Sequence, residues 1–320
     1  MGITLKRLSG FVLLWVLVGC GSQSDAPLRI GSNNWPGYQS LYLAYDINAY
    51  SRTQVSMVQL GSATQVLGAL RNGNLDGAAL TLDETLLALA DGVELQVVAV
   101  LDYSNGADVV LVKPEIKTLL DLKGRKVVVE HSAVGAIMLD SMLHEVGFSA
   151  SDIEVVARPF DLHESTFQQE DIAAVVTFEP IRSRLLAAGA HEIFSSASIP
   201  GRIIDVLVVR TEIIDSKKTL VQQLVNGHFM ALDFMKTKHD KSYEKIATRM
   251  NLSKVETQKS FEGLELPTLA ENKALLVNCE RNLQKTADYL TQIMLERKLL
   301  AKPVNTKDLC RSEWVQEIAP

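Results

Sequence analysis

From Leu28 onward short apolar segments alternate with segments of helical apolar spacing, and this rhythm constrains the fold more than any other feature of the chain. Leu28–Gly31 reads as a strand, Trp35-Pro36-Gly37-Tyr38 as a turn and Gln39–Ile47 as a helix. Val55–Leu60 is a strand. Gly61-Ser62-Ala63-Thr64 then opens a helix carrying Val66, Leu67 and Leu70, which Gly73-Asn74 ends. Gly77–Leu80 and Leu95–Leu101 are strands on either side of a helix over Asp83–Ala90. This order implies an α/β fold with mostly parallel sheets flanked by helices.

A second series follows. Asp108–Val112, Lys126–Val129, Ile153–Ala157, Ala173–Val176 and Asp205–Val209 read as strands, with helices over Gly135–Val146 and Ile181–Ala188. After about Ser216 the chain turns helical. Asp108-Val-Val-Leu-Val and Asp205-Val-Leu-Val-Val are alike, each an Asp before an apolar strand. If both cross between lobes, residues 28–105 start lobe I, 106–209 form lobe II, and 210–320 return to lobe I as its helical part. The 320 residues suffice for two such domains.

Residues 1–19 read as a signal segment rather than fold: Lys6 and Arg7 precede a short apolar stretch, Leu8 to Val18. Leu17-Val18-Gly19-Cys20 resembles a bacterial lipobox, in which the Cys is acylated, as with palmitate, and becomes the new N-terminus. Residues 20–27 then form a Gly/Ser-rich tether. The expectation is a monomeric body anchored by lipid to the cell envelope, facing the periplasm or the outside. Such a space permits a disulfide between Cys279 and Cys310; two unrelated buried thiols are the alternative. No apolar run reaches the ~18 residues of a membrane span. A net charge of −6 without a basic stripe argues against a nucleic-acid partner.

Several stretches, in this order and spacing, resemble the solute-binding proteins of ABC importers, specifically the nitrate/sulfonate/taurine-type family with the type II periplasmic-binding fold. They are Trp35-Pro36-Gly37-Tyr38 before Leu41-Tyr42-Leu43-Ala44, Gly73-Asn74-Leu75-Asp76-Gly77-Ala78-Ala79, and Asp102-Tyr103-Ser104-Asn105-Gly106-Ala107-Asp108. Asp121-Leu122-Lys123-Gly124-Arg125-Lys126-Val127, Phe178-Glu179-Pro180 and Ile199-Pro200-Gly201-Arg202-Ile203-Ile204-Asp205-Val206-Leu207 complete the set. The resemblance implies capture of a small-molecule ligand in an inter-lobe cleft, closure, and delivery to a membrane permease driven by a separate ATPase. The same fold covers pyrimidine-precursor proteins of thiamine metabolism, so a fold-sharing enzyme is one alternative. A ligand sensor feeding a signalling partner is another.

In such folds ligands lie outside the carboxyl ends of the strands, near helix N-termini. That rule selects Asn34, Trp35 and Tyr38 in the first turn, Ser62 in the second, and Ser132 in the turn after Lys126–Val129. Trp35 offers an apolar wall or packs the core, and Ser62 meets a ligand or only caps its helix. His131 reads as a surface or packing residue. The acids Asp83, Glu84, Asp108, Glu179 and Asp205 also sit at strand ends. If several face one cleft they favour a neutral or cationic organic solute, such as an amine or nitrogen heterocycle stacked on Trp35, over a small inorganic anion. No dinucleotide or P-loop fingerprint, zinc motif or nucleophile elbow is present, so neither a cofactor nor a metal nor catalysis is expected.

Overall fold

The computed structural model describes residues 26–130 and 133–319. Residues 1–25, with Cys20, and the pair His131 and Ser132 lie outside the described residues. The strands are β1 (Leu28–Ser32), β2 (Val55–Gln59), β3 (Gly77–Thr81), β4 (Leu95–Ser104), β5 (Val109–Val112), β6 (Lys126–Val129), β7 (Glu154–Ala157), β8 (Ile172–Thr177), β9 (His191–Ser195), β10 (Ile204–Arg210) and β11 (Leu264–Glu265). Four helices border the region of interest: α1 (Gln39–Asp46), α2 (Ala63–Arg71), α3 (Leu82–Ala90) and α4 (Ala133–Glu145).

The strands form two sheets, ordered β11-β4-β10-β3-β1-β2 and β7-β6-β8-β5-β9. Parallel pairing joins β1 to β2 and β3, and β6 to β7 and β8. The strands that carry the chain between the sheets run against this direction: β10 is antiparallel to β3 and β4, and β5 to β8 and β9. Both sheets are therefore mixed, because a strand arriving from the other sheet enters from the opposite end. One boundary differs from the sequence expectation. The Ile204–Arg210 strand, assigned there to the segment 106–209, pairs inside the first sheet. Its apolar run reads the same whichever sheet it joins, and only long-range register decides.

Central strands are apolar throughout because both their faces are covered. Every residue of β3, β5 and β8 is buried, whereas edge strand β7 is largely exposed. Local chemistry sets the helix starts. Ser62 caps α2 by accepting from the Gln65 N–H at 3.3 Å. Thr81 and Glu84 form a capping box at α3, with bonds of 3.3 and 3.1 Å.

The two passages between sheets are stitched together. Ser196 Oγ lies 2.8 Å from Ser104 Oγ and accepts from the Gly106 N–H at 2.7 Å, and the Ser196 N–H donates to Asp108 O at 2.9 Å. Gly263, at φ +90°, sits against them; a Cβ there would fall 2.8 Å from the Gly106 carbonyl carbon. The C-terminal region closes over β4, where the Val97 N–H donates to Leu309 O at 2.7 Å. Cys279 and Cys310 are bonded, with Cα atoms 6.2 Å apart, which resolves the choice between disulfide and separate thiols. Among the described residues no helix is long and apolar enough to cross a membrane.

Candidate functional site

A narrow crevice of about 20 Å³ free volume lies between the sheets. The first sheet supplies Asn33, Trp35, Tyr38, Thr81, Glu84 and Asp205, with Ala63 from α2. The second supplies Asp108, Glu130, Val134 and Phe178. Most of these residues follow the carboxyl ends of β1, β3, β6 and β8, where an α/β fold leaves helix starts and loops to meet a ligand. The free volume holds about one water molecule, so entry of a solute requires the sheets to separate.

Among the described residues, contacts between the two sides hold the crevice shut. Trp35 meets Phe178 edge to face, with ring centroids 5.0 Å apart. Phe178 in turn stacks on Phe160 at 3.9 Å. Glu130, just past β6, receives the Thr64 backbone N–H at 3.0 Å and its hydroxyl at 2.7 Å. Farther out, Arg297 pairs with Asp140 of α4 at 2.9 Å.

Buried carboxyls dominate the electrostatics. Trp35 Nε1–H donates to both oxygens of Asp102, at 3.1 and 3.2 Å, and Tyr38 O–H donates to Asp205 Oδ1. Asp102 and Asp205 stand opposite each other in the β4–β10 register. Gly37 makes this packing feasible, since a methyl at its Cα would strike the Asp102 carboxylate. Burial pushes Asp102 up to about 7; the charge of Asp108 adds to the rise, and hydrogen bonds with Trp35 and Asp205 moderate it. Burial, followed by the charge of Asp83, pushes Asp108 up to about 7. Asp205 and Glu84 are raised well above the carboxylate range by burial, Asp205 further by Asp102 and Glu84 further by Asp83 and Glu130. Burial also raises Asp83 to about 6. Among the described residues no Lys, Arg or His lines the crevice.

Trp35, Tyr38, Asp108 and Asp205 thus come together at the crevice. Asn34 does not line it; its neighbour Asn33 does, while also accepting the Trp35 N–H at 3.1 Å. Ser62 serves its helix cap, and Asp83 lies buried behind the wall. Glu179 accepts from the Ser183 N–H and hydroxyl at 3.1 and 3.0 Å, the structural role open to any carboxylate beside a helix start. Ser132 lies outside the described residues. Sequence reasoning passed over Glu130, Asp102 and Phe178 as site residues, whereas Glu84, named with Asp83 among the strand-end acids, lines the crevice. The rule that selected Ser132 would have reached Glu130 two residues earlier, at the end of β6. Asp102 carries no local signal, because its partners come from β10 and the first turn. Among the described residues no cluster of His, Cys, Asp or Glu is arranged to hold a metal ion.

Two sheets with a crevice at their strand ends define a fold of the periplasmic-binding type. Residues 21–251 match the model of the NMT1-like family, and the chain belongs to that family. A putative aliphatic sulfonates-binding protein of Escherichia coli is 26% identical over 196 residues, 60% of this chain and 61% of that one. A putative thiamine biosynthesis protein of Haemophilus influenzae is 32% identical over 105 residues, 32% of this chain and 33% of that one. The chain thus spans about three fifths of the first curated relative's length and one third of the second's. The alkanesulfonate-binding protein SsuA from Xanthomonas axonopodis pv. citri, solved with MOPS bound, superposes with a TM-score of 0.75 at 18% identity, covering 89% of this chain and 98% of that one.

Proposed function

We propose that the chain is the solute-binding component of an ABC importer, which captures a small organic solute between two lobes and delivers it to a membrane permease. The crevice carries this reading. Its walls come from two sheets joined only by adjacent passages, and its aromatic contact, Trp35 on Phe178, spans them. Hinges at 104–108 and 202–206 let the halves part with few backbone rotations. The lipobox-like Leu17-Val18-Gly19-Cys20 supports a lipid-anchored position at the envelope, and the disulfide suits an oxidising space.

Small-angle scattering with native mass spectrometry tests this. The expected result is a small molecule carried through purification, whose removal enlarges the radius of gyration. A chain whose dimensions do not change, and that carries no solute, overturns it. The likeness to the Haemophilus influenzae protein favours a second reading, a role in cofactor-precursor metabolism. Turnover of a pyrimidine precursor by the purified chain would select that reading over transport.

A further inference from the structure

We propose that the crevice takes a protonated amine or amidine, with its N–H groups on Asp108 and Asp205 and its apolar body against Trp35 and Phe178. This deepens the solute-binding reading and rests on it. The argument is one of donors and acceptors. Several groups suited to an anion are already committed to the protein's own carboxyls. The start of α2 gives its Thr64 N–H and hydroxyl to Glu130. The start of α3 is closed by the Thr81–Glu84 box. Trp35 Nε1–H is given to Asp102, and the Tyr38 hydroxyl to Asp205.

Beside the Asn33 amide, the wall is left with carboxyl acceptors. Asp108 is 5% exposed and lines the crevice, and its Oδ2 has no hydrogen-bond partner. Asp205 Oδ2 likewise receives no donor from a neighbouring N–H or hydroxyl, its one recourse being a proton shared with Asp102. A buried acceptor without a donor costs free energy that a ligand's N–H recovers. A sulfonate would instead add acceptors to acceptors and a negative charge to four carboxyls, Glu84, Asp108, Glu130 and Asp205.

Calorimetry with benzylamine, benzamidine and phenylmethanesulfonate at pH 6, 7 and 8 tests the assignment. The first and last share a skeleton and differ in charge. The titratable groups facing Asp108 and Asp205 are Asp83, Glu84, Asp102, Glu130 and Tyr38, with His163, which lines the adjoining pocket beside Asp108 and which burial pushes down to about 4, neutral across this range; His131 lies outside the described residues. A bound cation must displace protons from this cluster, so amine affinity should rise with pH while protons are released. The amines should bind at least about a hundredfold tighter than the sulfonate at pH 8. Asp108→Asn should cut amine affinity by about tenfold or more and flatten its pH dependence. Thermal unfolding of the variant verifies its fold, and the wild-type pH series stands without it.

Sulfonate binding as tight as amine binding, or binding that weakens as pH rises, overturns the assignment, because a protonated cluster would then be donating to an anion. Failure of both amines to bind below about 1 mM also overturns it. In either case a co-purified solute that contracts the molecule leaves the solute-binding reading standing. Loss of both signals removes the two together.

Discussion

Two buried carboxyl sites in the first sheet behave in opposite ways. Asp76, beside the amino end of β3, is 3% exposed and fully compensated. It accepts from Arg29 N and Nη2 at 3.0 and 2.7 Å and from Lys217 Nζ at 3.0 Å. Burial alone would raise its pKa, and the bonds from Arg29 and Lys217 more than reverse that. At the other end of the same strand, Asp205 pairs with Thr81 across the β3–β10 ladder, joined by Asp102 and Asp108 with no cation among the described lining residues. The carboxyls at both ends are hidden from solvent, those of the crevice end lying deeper, and that end alone lacks a counter-charge among the described lining residues. A carboxyl that only has to hold the fold together is matched within the chain. One left unmatched beside a crevice is suited to a partner from outside.

The contrast can be broken experimentally. The largest effect is expected from Asp76→Ala, which strands Lys217 beside a vacated site and should cost about 2–3 kcal/mol in urea unfolding. A loss under about 1 kcal/mol would show that Asp76 is not the structural member of the pair.

The two sites should also impose opposite pH dependences. A depressed carboxyl such as Asp76 stabilises above its unfolded pKa, and that contribution is lost as pH falls. Raised carboxyls behave in reverse. Stability from Asp83, Asp102 and Asp108 is full below about 4 and is lost as pH climbs through about 6 and about 7. The solute-free chain should therefore melt roughly 5 °C lower at pH 8 than at pH 5, and a bound amine should shrink the gap. A melting temperature that is flat or rising over this range would contradict the assignment of raised carboxyls.

Asp108→Asn sharpens the comparison at one position. It should add about 1 kcal/mol at pH 8 and almost nothing at pH 5, since the acid is then already neutral. The smallest effect is expected from Trp35→Phe, which keeps the ring on Phe178 and removes the donor to Asp102. Solute affinity should fall by about 0.5–1 kcal/mol, read by calorimetry; unchanged affinity would place Trp35 in the core rather than the binding wall.

How much of this was legible beforehand depends on whether the cause is local. The helix starts at Ser62 and Thr81 follow from capping chemistry within four residues. Asp108 and Asp205 stood out because each precedes an apolar strand. The sheet assignment of Ile204–Arg210, by contrast, follows from pairing with residues about a hundred positions away. So does the meeting of Asp102 with Asp205, and of Thr64 with Glu130 across 66 residues. Glu179 shows the converse limit: Ser183, four residues on, satisfies it, yet its placement after a strand resembles that of a ligand-facing acid.

The stitching at Ser196 has a practical consequence. Since the outgoing and returning passages meet at one serine, everything between them is a cartridge inserted through a single opening in the host sheet. A foreign α/β segment whose ends lie equally close could be spliced in at those two points. The transplant would replace Asp108, Glu130 and Phe178 while keeping Trp35, Tyr38 and Asp205, so half of the recognition surface could be exchanged without redesigning the other half.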